Sequence, residues 1–105
     1  MPTKPPLVKI CCISSQAEAE LAVACGADVL GLVSHMPSGP GVIDEALIAH
    51  IARATPAPTR TFLLTAHLLA EPIVDQVRRC QPTTVQLVDA VPLDQLQVLK
   101  TAGND

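Results

Sequence analysis

Two kinds of stretch take turns along this chain: short runs in which apolar residues are nearly continuous, and longer runs in which they recur every three or four positions. Residues 7–13 are apolar except for Lys9, the pattern of a strand buried on both faces in a parallel sheet. Ser15 followed by Glu18 forms a capping box, and Ala17, Leu21, Ala24 and Cys25 then fall on one face of the helix it opens. Gly26 is placed to end that helix in a left-handed turn. Residues 29–33, bounded by Asp28 and Ser34, read as a second buried strand, and residues 35–41, with two prolines and two glycines, as the loop behind it. A second helix starts with Asp44 as N-cap, turns Leu47, Ile48 and Ile51 inward, carries His50 and Arg53 in its last turns, and stops before Pro56. Residues 61–65, which include the sole aromatic, Phe62, give a third strand. Pro72 suits the first turn of a third helix, with Ile73, Val74 and Val77 behind it, which runs to about Cys80 before Pro82 ends it. Residues 83–88 give a fourth strand, and Leu93, Leu96 and Leu99 recur at helical spacing before Gly103. Residues 1–6, with three prolines, form an extended lead-in.

The element order is therefore βαβαβαβα with short connections, and residues 1–105 read as a single domain. Parallel strands joined by helices require right-handed crossovers and helical cover on at least one sheet face. An open doubly wound sheet often carries a glycine-rich phosphate loop after its first strand, and residues 13–18 contain no glycine. The pattern favours an α/β fold of the other kind: a (βα)4 half of a TIM (βα)8 barrel, a parallel four-stranded sheet with outer helices.

Composition sharpens this expectation. Apolar residues make up 49% of the 105 residues, and the mean hydropathy is +0.37. A domain this small buries proportionally little of its surface, so such content predicts apolar cover from another chain. The open strand edges and a large apolar inner face predict self-association, as a homodimer or larger, or pairing with a chain that carries a second half-barrel. The formal net charge of −3 offers no footprint for nucleic acid. No apolar run is long enough to cross a bilayer and no leader pattern opens the chain, which places the protein in the cytoplasm and away from membranes. Cys11, Cys12, Cys25 and Cys80 have neither C-x-x-C spacing nor a histidine at zinc-ligand distance, so they read as reduced thiols and no metal or cofactor is expected.

Lys9-Ile10-Cys11-Cys12-Ile13-Ser14 resembles the K-I-C-G-[IL]-T opening of the phosphoribosylanthranilate isomerases, the (βα)8 barrels of tryptophan biosynthesis. Gly26-Ala27-Asp28-Val29-Leu30-Gly31 is similar to their G-A-D-x-[IL]-G second strand, and Val85-Gln86-Leu87 to their V-Q-L-H-G fourth strand. The resemblance covers nearly all of this chain and about half of the family's usual length. It implies an Amadori rearrangement of N-(5-phosphoribosyl)anthranilate, a small phosphorylated sugar, with the C2 proton moved to give an aminoketose. It implies Cys11 as general base, with Lys9 and Gln86 in contact with substrate. The family's acidic aspartate and phosphate site belong to strands of the other half, so the chain alone is expected to be inactive or weakly active. A non-catalytic half-barrel that self-assembles is the alternative.

Three departures accompany the resemblance. The glycine after the catalytic cysteine is Cys12, an S-P-R segment aligns with Ser38-Gly39-Pro40, and the histidine and glycine of V-Q-L-H-G become Val88 and Asp89. On thiol chemistry alone Cys11 reads either as a small buried hydrophobe or as a proton-transfer group, since a thiol can be tuned to ionise near neutrality. Strand alternation points Cys12 away from Cys11, toward the helices, as a packing residue. Gln86 either lines the interior or is a hydrogen-bonded core polar group. Asp89 reads as a helix cap or, in a dimer, as the acid facing a neighbour's Cys11. His35 and His67 fall in loops at the expected active face.

Overall fold

The computed structural model describes residues 6–37, 39 and 41–102. The lead-in over residues 1–5, Ser38, Pro40 and the helix stop at Gly103 lie outside the described residues. In chain order the elements are β1 (Lys9–Ile10), α1 (Gln16–Ala24), β2 (Val29–Val33), α2 (Glu45–Ala54), β3 (Arg60–Thr65), α3 (Ala70–Cys80), β4 (Thr84–Leu87) and α4 (Leu93–Ala102). The strands pair in parallel and in sequence order, β1-β2-β3-β4. Each helix packs against the next one along the chain. Sequential order with all crossovers toward one face is the arrangement of barrel units, whereas a doubly wound sheet reverses its order and divides its helices between two faces.

The core lies between sheet and helices. Leu30, Leu32 and Leu63 alternate onto the covered face and meet Ala19, Ala22, Ile48, Ile51 and Cys80, all buried. Asp44 caps α2 by accepting from the Leu47 amide at 2.8 Å, and Ser15 caps α1 by accepting from the Glu18 amide at 3.1 Å. Helix α1 ends at Gly26, φ +93°, with the Ala27 amide donating to Ala22 and the Gly26 amide to Val23, both at 3.0 Å. That is the paired closure expected where glycine takes the left-handed position after a helix.

Three expectations are corrected. The first strand is only two residues long, because Cys12 adopts a left-handed backbone, φ 59°, which interrupts the extended run. The chain nevertheless stays beside β2, since the Ile13 amide donates to the Gly31 carbonyl at 3.2 Å. The buried residues of α1 are Ala19 and Ala22, whereas Ala17, Leu21, Ala24 and Cys25 are exposed, Leu21 by 65%. The cap sets the phase of this alanine-rich helix, and small side chains on the sheet side let it sit close to the strands. Exposed apolar residues also gather elsewhere than expected. Many lie at the lateral rims, with Leu7 and Val8 before β1, Leu21 on α1, Val88 after β4, and Leu93, Leu96 and Val98 on α4, while Val42, Leu68 and Leu69 are exposed after the middle strands.

Helices α2 and α3 are joined by Glu45. Its carboxylate accepts from Arg79 at 2.7 and 3.1 Å and from the buried Gln76 amide at 3.1 Å. The Arg79 hydrogen bond, opposed by partial burial and aided by Gln76, holds the Glu45 carboxyl below the usual carboxylate range. A carboxyl lowered in the folded state adds stability above its unfolded pKa, and that stability is lost as pH falls through the folded value. Glu45→Gln is therefore expected to lower the melting temperature by about 3 °C at pH 7. That gap should close toward zero in melts run below pH ~4.

Candidate functional site

Because all four strands run the same way, the segments that follow them share one end of the sheet. Cys11 follows β1, the loop with His35, Gly39 and Gly41 follows β2, His67 follows β3 and Asp89 follows β4. The sheet face opposite the helices is open. By alternation and register it carries Lys9, Gly31, Phe62, Thr84 and Gln86 with Val33 and Leu64. This face is mixed rather than broadly apolar, a further correction of the expected association surface.

Lys9 and Gln86 lie 77 positions apart in the chain and meet on this face, where the Lys9 ammonium donates to Gln86 Oε1. The same ammonium stands 5.3 Å from the centroid of the Phe62 ring, a cation–π separation. Gln86 is thus half-buried on the open face and hydrogen-bonded at once, so both of its readings describe part of its position. Cys11 is exposed beside them. Its place depends on Gly31: a methyl group there would come 2.9 Å from Cys11 Sγ and 3.2 Å from Lys9 Cε. The missing side chain leaves room for thiol and lysine stem to cross β2. A thiol, a cation and an amide therefore converge at the carboxyl end of the sheet, a set able to move a proton and to hold an anionic or hydroxyl-bearing ligand.

Cys12 is not the helix-facing packing residue that alternation predicts. The left-handed turn swings it toward Gly41, where a methyl group would fall 2.6 Å from Cys12 Cβ and 2.8 Å from its Sγ. Burial, then the hydrogen bond and charge of Cys11, push the Cys12 thiol up, against an opposing pull from the Lys9 ammonium. The signal available in the sequence was the glycine that the resembling motif places at this position. Asp89 does not cap α4, since Pro92 immediately precedes that helix and Asp89 stands in the loop, exposed. His35 and His67 are exposed loop residues. Among the described residues no group of three or more His, Cys, Asp or Glu is arranged to hold a metal ion, and no helix is long and apolar enough to cross a membrane. A cleft of about 290 Å³ opens at the other end of the sheet, between Leu7, Asp28, Pro58, Arg60 and Phe62.

No protein-family model matches the sequence. Among curated proteins, N-(5'-phosphoribosyl)anthranilate isomerase of Halobacterium salinarum is 31% identical over 87 residues, which cover 82% of this chain and 40% of that protein. Among solved structures, phosphoribosyl anthranilate isomerase in complex with reduced 1-(o-carboxyphenylamino)-1-deoxyribulose 5-phosphate superposes with a TM-score of 0.82 at 25% identity, over 90% of this chain and 48% of that one. A structure of monomers generated from the dimeric Thermotoga maritima isomerase superposes with a TM-score of 0.79, also at 25% identity, over 90% of this chain and 47% of that one. The chain thus spans somewhat less than half the length of the relatives it matches, and its four βα units correspond to about half of a TIM barrel.

Proposed function

We infer that this chain, similar over most of its length to the phosphoribosylanthranilate isomerases, is one (βα)4 unit of such an isomerase, with residues 1–105 acting as a single domain. Its reaction is the Amadori rearrangement of N-(5-phosphoribosyl)anthranilate in tryptophan biosynthesis. Cys11 takes the C2 proton as general base, while Lys9 and Gln86 bind substrate oxygens. The observation that carries this reading is the convergence of Cys11 over Gly31 with the Lys9–Gln86 pair at the carboxyl end of the sheet. A lone unit turns over little or no substrate. Turnover needs a second (βα)4 unit to supply a phosphate site and an acid, either another copy of this chain or a polypeptide carrying the other four units. In a pair of copies, Asp89 places a carboxylate at the same rim.

A specific feature favours assembly. Helix α4 has no buried residue, and its Leu93, Leu96 and Val98 are exposed together with Leu21 on α1 at the opposite rim. In a closed barrel both helices are covered by neighbours, so two copies placed head to tail bring these surfaces together. Self-assembly without catalysis is the second reading that this feature supports.

Binding of the reduced deoxyribulose 5-phosphate analogue, followed calorimetrically at high protein concentration, tests the functional reading. Wild type is expected to bind it, and Lys9→Met to weaken binding at least about tenfold, the effect of losing one charge-assisted contact. Absence of binding by wild type at millimolar analogue, or equal binding by Lys9→Met, would leave the non-catalytic assembly.

A further inference from the structure

We propose that Cys11 and Cys12 form a vicinal dithiol site for trivalent arsenicals, soft electrophiles that two neighbouring sulfurs hold at once.

Consecutive residues of an extended strand point to opposite faces, so adjacent cysteines ordinarily keep their thiols apart. Here the left-handed backbone of Cys12, φ 59°, breaks the alternation, so its thiol is not carried to the face opposite that of Cys11. Two glycines flank the pair. Gly31 lies against Cys11 Sγ and Gly41 against Cys12 Cβ and Sγ, each at distances that leave no room for a further side chain. The two thiols are therefore not held on opposite sides of a strand, and Cys11 is exposed to solvent.

Geometry separates this ligand from a disulfide. Cα atoms joined by a trans peptide lie about 3.8 Å apart, below the range of about 4.4–6.8 Å that disulfides require. An inserted arsenic atom tolerates a wider gap between the sulfurs than a direct bond, and thiolates prefer soft centres. The step balances without redox change. An arsenoso group, R–As=O, reacts with two thiols: two As–S bonds form, the bonds to oxygen break, and both thiol protons leave with that oxygen as water. Arsenic stays trivalent throughout. Binding stands independently of the isomerase reading; that bound arsenic would remove the base of the proposed reaction rests on it.

The test is intact-mass spectrometry of the chain with phenylarsine oxide in excess glutathione. Wild type should hold one arsenical per chain, consume two of its four thiols, resist glutathione, and release the arsenical to 2,3-dimercaptopropanol. Cys12→Gly and Cys11→Ser should each lose at least tenfold in retention against glutathione, while Cys25→Ser retains it. Glycine suits the left-handed position of residue 12, so that variant keeps its fold by circular dichroism. An adduct equally retained by Cys12→Gly, or a wild-type adduct lost to glutathione as readily as that of Cys11→Ser, would overturn the proposal. Because the readout is mass, failure of the isomerase reading leaves this result untouched.

Discussion

Leu63→Ala is expected to remove a large part of the protein's stability. Leu63 sits in β3, the strand paired on both sides, opposite Leu32 of β2 and Val85 of β4. It is fully buried in the cluster that joins the sheet to Ile48 and Ile51 of α2 and Cys80 of α3. Truncating a leucine in such a place costs about 2–5 kcal/mol, through lost burial and the cavity left behind. A small domain has only about 5–15 kcal/mol in total. Urea denaturation should therefore show a sharply lower midpoint at an unchanged slope. Leu93→Ala is the matching control at concentrations where the chain is unassociated, because Leu93 is 72% exposed on α4 and its loss there should fall within about 0.5 kcal/mol of wild type. A midpoint that moves equally for both would mean that the sheet-to-helix cluster is not the centre of the fold.

Cys11→Ser is expected to abolish isomerase turnover while leaving the fold intact. The thiol is exposed and rests in the space left by Gly31, so replacing sulfur by oxygen disturbs little packing. Its consequence is chemical: a hydroxyl does not ionise near neutral pH, whereas a thiol can be tuned to do so. Loss of a general base lowers the rate by about 10²–10⁴-fold. Thermal melts of the two proteins should coincide within about 2 °C, the scale of a change well below 1 kcal/mol.

Much of this molecule is legible in its residues because local chemistry decides it. Ser15, Asp44 and Gly26 mark helix ends through hydrogen bonds made within a few residues, and the apolar runs mark β2, β3 and β4 to within a residue or two. The open face is harder to read. Lys9 meets Gln86 across three strand pairings, and no local pattern encodes that contact. Alternation misplaces Cys12 because it assumes extended backbone, and nothing in the hydrophobic pattern announces a left-handed cysteine. The buried face of α1 is hard to read because alanines occupy several of its faces, so hydrophobicity hardly distinguishes them. The Glu45–Arg79–Gln76 cluster likewise joins two helices whose packing, not their sequences, sets the contact. Positions fixed by neighbours in the chain were readable; positions fixed by neighbours across the fold were not.

The most direct test of the account is turnover per chain, followed by loss of substrate fluorescence across a concentration series of wild type and Cys11→Ser. A unit that shares its site with a second copy predicts turnover that rises with concentration as copies pair, and none at any concentration in Cys11→Ser. Turnover equal in the two proteins, or wild-type turnover per chain that does not change with concentration, would contradict it.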